Sequence, residues 1–154
     1  MDELYENDYS RLTPYKSKMN INIRCEKITI REYGFKTALL WNIAAMGKAK
    51  IYAVYDGEKR IHTSYVVHGN EKFRFLHNKD IEIGPCWTHD EYRGRGIYPA
   101  VLSYIIKEEL AEGGRAYMII HEKNKASQHG VAKVGFHKTG FTVKRDALKR
   151  YSIE

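Results

Sequence analysis

The segment Arg93-Gly94-Arg95-Gly96-Ile97-Tyr98 has a composition suited to holding phosphate. It follows an apolar stretch that ends near Trp87, and it precedes a stretch with apolar residues at helical spacing, so it connects a strand to a helix. The first amides of a helix are unpaired and its dipole is positive there, which attracts anions. Glycines let the backbone approach a ligand closely, and arginines add charge. The segment therefore predicts a pyrophosphate-binding loop.

Two common nucleotide loops do not fit this segment. A Walker loop needs Gly-Lys-Ser/Thr at its end, where Ile97-Tyr98 stands instead. A dinucleotide fingerprint needs three spaced glycines in an early β–α–β unit, and this loop has two. A glycine-rich turn with solvated arginines is the alternative interpretation of the loop taken alone.

The elements that must position this loop follow from hydrophobic periodicity. Alternating apolar residues predict a strand over 21–30, helical spacing predicts a helix over 31–47, and Asp56-Gly57 between two β-branched stretches predicts a hairpin. Further strands are predicted at 73–76, 80–87, 116–121, 136–144 and 148–153, with helices at 96–110 and 125–134. This order predicts a mixed α/β fold: a mostly antiparallel central sheet, flanked by helices, with a β–α–β crossover that carries the phosphate loop.

The length of 154 residues fits one domain. Residues 1–20 are polar with one proline, and we interpret them as a lead-in segment before a single domain over residues 21–154. The two cysteines, Cys25 and Cys86, are too few for a disulfide framework or a four-thiolate zinc site. The sequence shows no apolar run long enough to span a bilayer and no secretory signal at its acidic start, so we expect a cytoplasmic protein.

Two groups of residues together resemble the GNAT family of N-acetyltransferases. The family signature Arg/Gln-x-x-Gly-x-Gly/Ala is matched by residues 93–97, with Tyr98 in place of the final small residue. The sequences at 124–127 and 133–136 have the spacing of the family's Asn-x-x-Ser/Ala and Lys-x-Gly-Phe. The resemblance covers about residues 21–154, and it implies a single acyl-CoA N-acyltransferase domain there.

The resemblance implies acetyl-CoA as the co-substrate, and the residues themselves predict no metal. It implies that the sheet splays between the strand ending at Thr88 and the strand at 116–122, and that the pantetheine arm lies in this gap. The arm would pair with the backbone of Cys86, Trp87 and Thr88, and Asn124 would contact it or help to place it. The pyrophosphate would rest on the amides of Arg93, Gly94, Arg95, Gly96, Ile97 and Tyr98.

Acyl transfer to an amine requires that the amine lose a proton and that the carbonyl oxygen be stabilised. A backbone amide near Trp87 could stabilise this oxygen. Glu82, His121 and Glu122 are the candidates for the general base, and a solvated or hydrogen-bonded structural role is the alternative for each. Strict alternation along the strand places Glu82 on the same face as Cys86.

The departing thiolate must also be protonated or solvated. The tyrosine that many family members use for this step would fall at Val131, which has no proton to give. A subset that resembles ribosomal-protein acetyltransferases also lacks the tyrosine and carries Asn-x-x-Ser, which implies Ser127 as the thiol partner. We set aside an acyl-cysteine at Cys86, which has no adjacent base, and a metal at His89 and Asp90, where no third ligand follows.

The chain carries 26 basic and 19 acidic side chains, a net charge of +7 that favours anionic ligands. The resemblance implies transfer of an acetyl group from acetyl-CoA to a primary amine by direct attack in a ternary complex. The charge favours an amino sugar or nucleotide-linked amino sugar as acceptor, with a protein N-terminus or a small polyamine left open. The resemblance implies that specificity lies in the early helix and in the loops around residues 31–47, 68–79 and 136–148. Aromatic residues there could stack on such a ligand, with core packing as the alternative: Tyr33, Trp41 and Phe75.

Two alternatives from other classes stay open. A basic nucleic-acid or anion-binding module is favoured by the charge and the many tyrosines, although Lys72-Phe-Arg-Phe75 is the one basic-aromatic interleave in the sequence. A CoA-binding domain without turnover is favoured by Val131. We expect a small-molecule acceptor rather than nucleic acid or membrane as partner, and a homodimer through the closing strands is left open.

Overall fold

The computed structural model describes residues 1–28 and 48–154, and the helix predicted at 31–47, with Tyr33 and Trp41, lies outside them. The described chain forms strands β1 (Asp2–Asn7), β2 (Ile23–Lys27), β3 (Ala49–Asp56), β4 (Lys59–His68), β5 (Ile81–Thr88), β6 (Ala116–His121), β7 (His137–Arg145) and β8 (Tyr151–Ile153). Its α-helices are α1 (Ile97–Glu109) and α2 (Lys125–Ala132). No helix among these residues has the length and apolarity needed to cross a membrane.

The strands form one sheet in the order β2-β3-β4-β5-β6-β1-β7-β8. Strands β5 and β6 run parallel, and every other neighbouring pair is antiparallel. Helix α1 connects the two parallel strands, since an antiparallel hairpin cannot do so. The predicted mixed α/β fold with a β–α–β crossover is confirmed.

The hairpin at Asp56-Gly57 is also as predicted. Asp56 faces Lys59 across β3 and β4, and Gly57 has φ +60°, a left-handed conformation that glycine adopts without steric penalty. Strand β4 of this hairpin also pairs with β5, the strand that precedes the loop at residues 93–98. The hairpin therefore supports that strand on one side.

The sheet has a different apolar cluster on each face. Helix α1 buries Ile97, Val101 and Ile105 in the larger cluster, against Ile83 of β5 and Val66 of β4. The opposite face carries a smaller cluster made of Leu4, Val67, Phe73, Leu76, Tyr117 and Val143. We call these the helix face and the open face of the sheet, since among residues 1–28 and 48–154 the helices α1 and α2 contribute to the first cluster and not to the second.

The interpretation of residues 1–20 as a lead-in segment is wrong for β1. This strand lies inside the sheet, where Leu4 faces Ile119 of β6 and Tyr5 faces Lys138 of β7. Leu4 and Tyr5 are buried. The acidic residues around them hid the strand, because only two core-forming side chains interrupt a polar stretch.

The strand predicted at 73–76 is wrong as well. Phe73 makes a single isolated bridge to Tyr151, and the residues around it form turns. Phe73 and Leu76 are nevertheless buried in the open-face cluster. The apolar residues at 73–76 are therefore buried against the sheet but do not form one of its strands.

A bulge in β5 changes which residues share a face. Val66 of β4 pairs with Ile83, whereas Ser64 pairs with Cys86, so Gly84 and Pro85 together stand opposite one residue of β4. Two residues opposite one is the definition of a β-bulge. Cys86 consequently lies on the helix face with Ile83 and not on the face of Glu82, and the strict alternation assumed from the sequence is wrong at this point.

Candidate active site at the gap between two parallel strands

A gap opens between β5 and β6 because they pair only at their first residues. Ile81 faces Ala116 and Glu82 faces Tyr117, and no further pairs follow. A cavity of about 490 Å³ lies at this end, lined by β5 and by the start of each helix. Its volume is within the usual range for small-molecule sites. The splaying of the sheet expected from the resemblance is present in the structure.

The glycine loop forms one end of the cavity. Gly94 and Gly96 have φ +75° and +76°, and Gly96 is the N-cap of α1. The amides of residues 95–98 donate to no backbone carbonyl of residues 1–28 or 48–154. Unpaired amides at the positive end of a helix are suited to an anion.

The two arginines of the loop brace it rather than point freely into the cavity. Arg93 Nε donates to the Thr88 carbonyl at 3.1 Å, and its guanidinium pairs with Asp90 at 2.9 Å. The Arg95 guanidinium donates to the Glu91 carbonyl at 3.2 Å and lies over the Tyr92 ring. Arg93 lines the cavity, whereas Arg95 is not among the described lining residues.

Sequence reasoning missed a basic rim contributed by other segments. Lys18 and Lys133 line the cavity beside the loop. The Lys18 amide donates to the Arg95 carbonyl at 2.9 Å, and the Tyr15 ring packs on Gly96, where a Cβ would lie 2.8 Å from it. Residues 15–18 belong to the stretch interpreted as a lead-in, and their lysines were the one available signal.

Helix α2 forms the other end of the cavity. Asn124 caps this helix, with its Oδ1 accepting from the Ser127 amide at 3.1 Å, and both residues line the cavity. The predicted helix start is therefore correct. It places Ser127 in the first turn of α2, at the wall of the cavity. Of the other residues predicted to bind the co-substrate, the cavity is lined by Cys86, Trp87, Thr88, Arg93, Gly94, Gly96, Ile97 and Tyr98.

A chain of polar side chains runs beneath the cavity from Thr88 to Cys86. His62 Nδ1 lies 2.8 Å from Thr88 Oγ1, His62 Nε2 lies 2.8 Å from Ser64 Oγ, and this hydroxyl donates to Cys86 Sγ at 3.1 Å. Burial lowers the pKa of His62 to about 4 and raises the pKa of Cys86 to about 12. A neutral thiol is a poor nucleophile, which agrees with setting aside an acyl-cysteine.

Glu82 lies on the open face at the point where the strands part. Its side chain is only 3% exposed, and its Oε2 has no hydrogen-bond partner within the described part of the chain. Burial raises its pKa well above the ordinary carboxyl value, and the charge of Lys72 opposes this shift. Glu82 is not among the described residues that line the cavity, but it occupies the last strand pair before the gap.

The structure does not bring His121 or Glu122 to the cavity. His121 is exposed at the end of β6, where its Nε2 lies 3.3 Å from the terminal amine of Met1 and its Nδ1 accepts from the Lys123 amide. The Glu122 carboxylate pairs with the same amine at 3.1 Å. Neither residue is among those that line the cavity, within the ranges the structure covers. Over those ranges no cluster of three or more His, Cys, Asp or Glu residues could hold a metal ion.

The family model for the acetyltransferase (GNAT) family matches residues 22–136 of the chain. That range includes the glycine loop, both strands of the gap and α2. The chain belongs to the GNAT acetyltransferase family. A search of curated proteins gives no match.

Solved structures of other GNAT proteins share the fold. A GNAT-family acetyltransferase from Colwellia psychrerythraea superposes with a TM-score of 0.62 at 13% identity, over 90% of this chain and 52% of that one. A putative GNAT acetyltransferase from Novosphingobium aromaticivorans gives 0.61 at 17% identity, over 89% and 59%. A glucosamine N-acetyltransferase region of a fungal β-N-acetylglucosaminidase gives 0.53 at 12% identity, over 89% and 19%. The chain thus spans between half and three fifths of the first two, and these identities establish the fold alone.

Proposed function

We propose that this GNAT protein is an acyl-CoA-dependent N-acetyltransferase that moves an acetyl group from acetyl-CoA to a primary amine. The observation that carries the proposal is the cavity at the parted ends of β5 and β6, with unpaired amides at one end and the capped start of α2 at the other. A long ligand with phosphates at one end and a reactive group at the other matches this arrangement.

The charge around the cavity supports a ligand with several phosphates. The unpaired amides of residues 95–98 are joined at the rim by Lys18, Arg93 and Lys133. The two arginines are held by the loop itself, so Lys18 and Lys133 add further positive charge at the rim for a phosphate. CoA carries a pyrophosphate, and its pantetheine arm would then lie along Cys86, Trp87 and Thr88.

The position of Glu82 supports direct attack in a ternary complex. The cavity is lined by helix-face residues such as Cys86 and Ile97, whereas Glu82 lies on the open face beside the gap. A thioester that reaches into the gap would meet an amine arriving from the open face, where Glu82 accepts its proton. A raised carboxyl pKa makes Glu82 a stronger base than an exposed glutamate.

We propose an amino sugar, free or nucleotide-linked, as the acceptor. The net charge of +7 favours an acceptor that carries phosphate. Phe75 packs against Tyr117 on the open face, and Trp87 is 47% exposed at the edge of the gap, so aromatic surface borders the approach to Glu82. The shared fold of the fungal glucosamine N-acetyltransferase region is consistent with this class and does not select it.

Titration calorimetry with acetyl-CoA tests the co-substrate. Gly94 and Gly57 both have positive φ, and a Cβ added at either would meet open space, so Gly94→Val and Gly57→Val impose similar backbone strain. We expect Gly94→Val to weaken acetyl-CoA binding roughly tenfold or more, about 1.4 kcal/mol, and Gly57→Val to leave it unchanged. No heat with the unmodified protein at high micromolar acetyl-CoA would contradict the proposal.

Turnover separates the enzyme from a domain that only binds CoA. The assay follows acetyl-CoA consumption with a panel of free amino sugars, nucleotide-linked amino sugars, simple amines and peptides. Consumption with an amino sugar supports the proposed acceptor. Consumption only with another member of the panel would identify that compound class as the acceptor instead. Binding without consumption across the panel would identify a CoA-binding domain instead.

A further inference from the structure

The side chain of Tyr98 lies across the cavity wall between α1 and α2. Its ring packs on Gly130, where a Cβ would lie only 2.6 Å from Cδ1, and its centroid is 6.2 Å from that of His62. Tyr98 and Gly130 both line the cavity. The bulky residue at the end of the loop motif is therefore accommodated by the missing side chain on the facing helix.

The hydroxyl of Tyr98 is held as a neutral phenol next to Ser127 and Cys86. Burial raises the pKa of Tyr98 well above its ordinary value, the neighbouring Cys86 adds to the shift, and hydrogen bonding with Ser127 opposes it. A neutral phenol is a proton donor at physiological pH. Val131, one residue after Gly130, is fully buried in the helix-face cluster and does not line the cavity.

The other hydroxyls of the cavity wall are committed elsewhere. Thr88 Oγ1 lies 2.8 Å from His62, the Tyr92 hydroxyl donates to Asp56 at 2.5 Å, and the Tyr15 ring covers Gly96 at the phosphate end. Tyr98 and Ser127 are the hydroxyls that remain among the described lining residues.

We propose that Tyr98 is the residue that protonates the departing thiolate, with Ser127 orienting its hydroxyl. The inference rests on the proposed function. The amine nitrogen bonds to the thioester carbonyl carbon, the carbon–sulfur bond breaks with its electron pair on sulfur, and the Tyr98 O–H proton passes to sulfur. The proton that the amine loses to the general base restores the phenol through solvent, so the net products are the amide and the CoA thiol.

The experiment compares Tyr98→Phe with Tyr104→Phe, a control on the same helix whose hydroxyl does not line the cavity. In Tyr98→Phe we expect acetyl-CoA affinity within about twofold of the unmodified protein, because the ring is retained, and kcat lower by about 10²-fold. Tyr104→Phe should change neither quantity. Unchanged kcat in Tyr98→Phe, or a loss of acetyl-CoA binding equal to the loss of turnover, overturns the assignment.

A second measurement does not depend on the acceptor. The thiolate absorbance of bound CoA is titrated against pH, with the desulfo-CoA complex subtracted to remove tyrosine ionisation. A phenol that donates to the sulfur stabilises the thiolate, so the pKa of the bound thiol should be higher in Tyr98→Phe than in the unmodified protein or in Tyr104→Phe. Equal thiol pKa values in all three overturn the proposal, whereas failure of the unmodified protein to bind CoA overturns the proposed function itself.

Tyr98→3-fluorotyrosine keeps the ring, its packing on Gly130 and a more acidic phenol. If Tyr98 is the donor, the alkaline limb of the kcat profile should move to lower pH in this variant. An alkaline limb that stays in place contradicts the assignment, even if Tyr98→Phe is poorly folded.

Discussion

Glu82 occupies a site where a charge is unfavourable and a proton is easily accepted. It is buried on the open face, its Oε2 lacks a hydrogen-bond partner in the regions described, and its ordinary pKa is shifted upward. Sequence reasoning named this residue as a candidate base but placed it on the face of Cys86. Its location beside the gap is compatible with the proposed role of general base.

Glu82→Gln should lower kcat by about 10²-fold or more with acetyl-CoA affinity retained, because the amide has a similar shape and cannot accept the proton. In the unmodified protein the acid limb of the rate profile should lie above the ordinary carboxyl range, since the base works only at pH values above its raised pKa. Steady-state kinetics against pH provide the measurement. A profile with no acid limb above that range would remove Glu82 from the mechanism.

The same residue has a signed effect on stability. Below the ordinary glutamate pKa, Glu82 is protonated in both states and contributes nothing to pH dependence. As pH rises the unfolded chain ionises first, so the free energy of unfolding falls until the folded-state pKa is passed. Glu82→Gln should remove this fall, as measured by urea unfolding between pH 4 and pH 8.

Glu109 is the matched control because its pKa moves the opposite way. Burial acts to raise the pKa of Glu109, but hydrogen bonds from Tyr52, Lys50 and His68 outweigh it and hold the value below the ordinary one. Its contribution to stability is present above the unfolded pKa and is lost as pH falls through the folded pKa. Glu109→Gln should therefore destabilise the protein at neutral pH, where Glu82→Gln should not.

At the scale of single residues, the conformation of the loop is predictable from the sequence, whereas the basic residues beside it are not. The anion site predicted at residues 93–98 depends on backbone amides and glycine conformation, which are local and visible in a motif. Lys18, Lys133 and the packing of Tyr98 on Gly130 depend on segments brought together by the fold. No spacing of residues along the sequence predicts such contacts.

At the scale of elements, the bulge of β5 decides which side chains the cavity contains. It turns Cys86 toward the helix face and leaves Glu82 on the open face. The Gly84-Pro85 pair was the available signal, because both residues are typical of bulges and irregular strand positions. Strict alternation takes no account of a bulge. It therefore predicted the strand correctly but assigned the residues after Pro85 to the wrong face of the sheet.

Gly84→Ala should destabilise the protein by about 1–3 kcal/mol and lower kcat more than acetyl-CoA affinity. Gly84 has φ +152°, and an added Cβ would lie 3.0 Å from Glu82 Oε1, so the substitution strains the backbone and displaces the carboxylate. Urea unfolding and steady-state kinetics measure the two effects. Gly140→Ala, with φ +86° and open space around its Cβ, is the control that should affect stability alone.

At the scale of the whole molecule, the sheet depends on a strand that composition disguises. Apart from the strand wrongly predicted at 73–76, the order of elements after residue 48 was predictable because each has clear periodicity and turn signals. Strand β1 was not, since Leu4 and Tyr5 are its only strongly apolar residues and its partners β6 and β7 lie far along the chain. Long-range pairing of this kind leaves no local pattern.

Leu4→Ala should cost about 2–5 kcal/mol of unfolding free energy, because Leu4 is 1% exposed inside the open-face cluster. Leu148→Ala makes the same chemical change at a residue that is 71% exposed, and it should cost less than about 0.5 kcal/mol. Chemical denaturation of both variants gives the comparison. Equal stabilities would mean that β1 is not part of the folded core.

The interior place of β1 also fixes an order of events during synthesis. Asn7 at the end of this strand donates to the carbonyl of Val134, 127 positions later in the chain. A ribosome adding about 5–20 residues per second makes that partner roughly 6 to 25 seconds after Asn7. The hairpin of β3 and β4 can form long before then, while the partner strands of β1, which are β6 and β7, have not yet been synthesised. Its acidic residues, Asp2, Glu3 and Glu6, would keep the waiting segment hydrated until the last part of the sheet arrives.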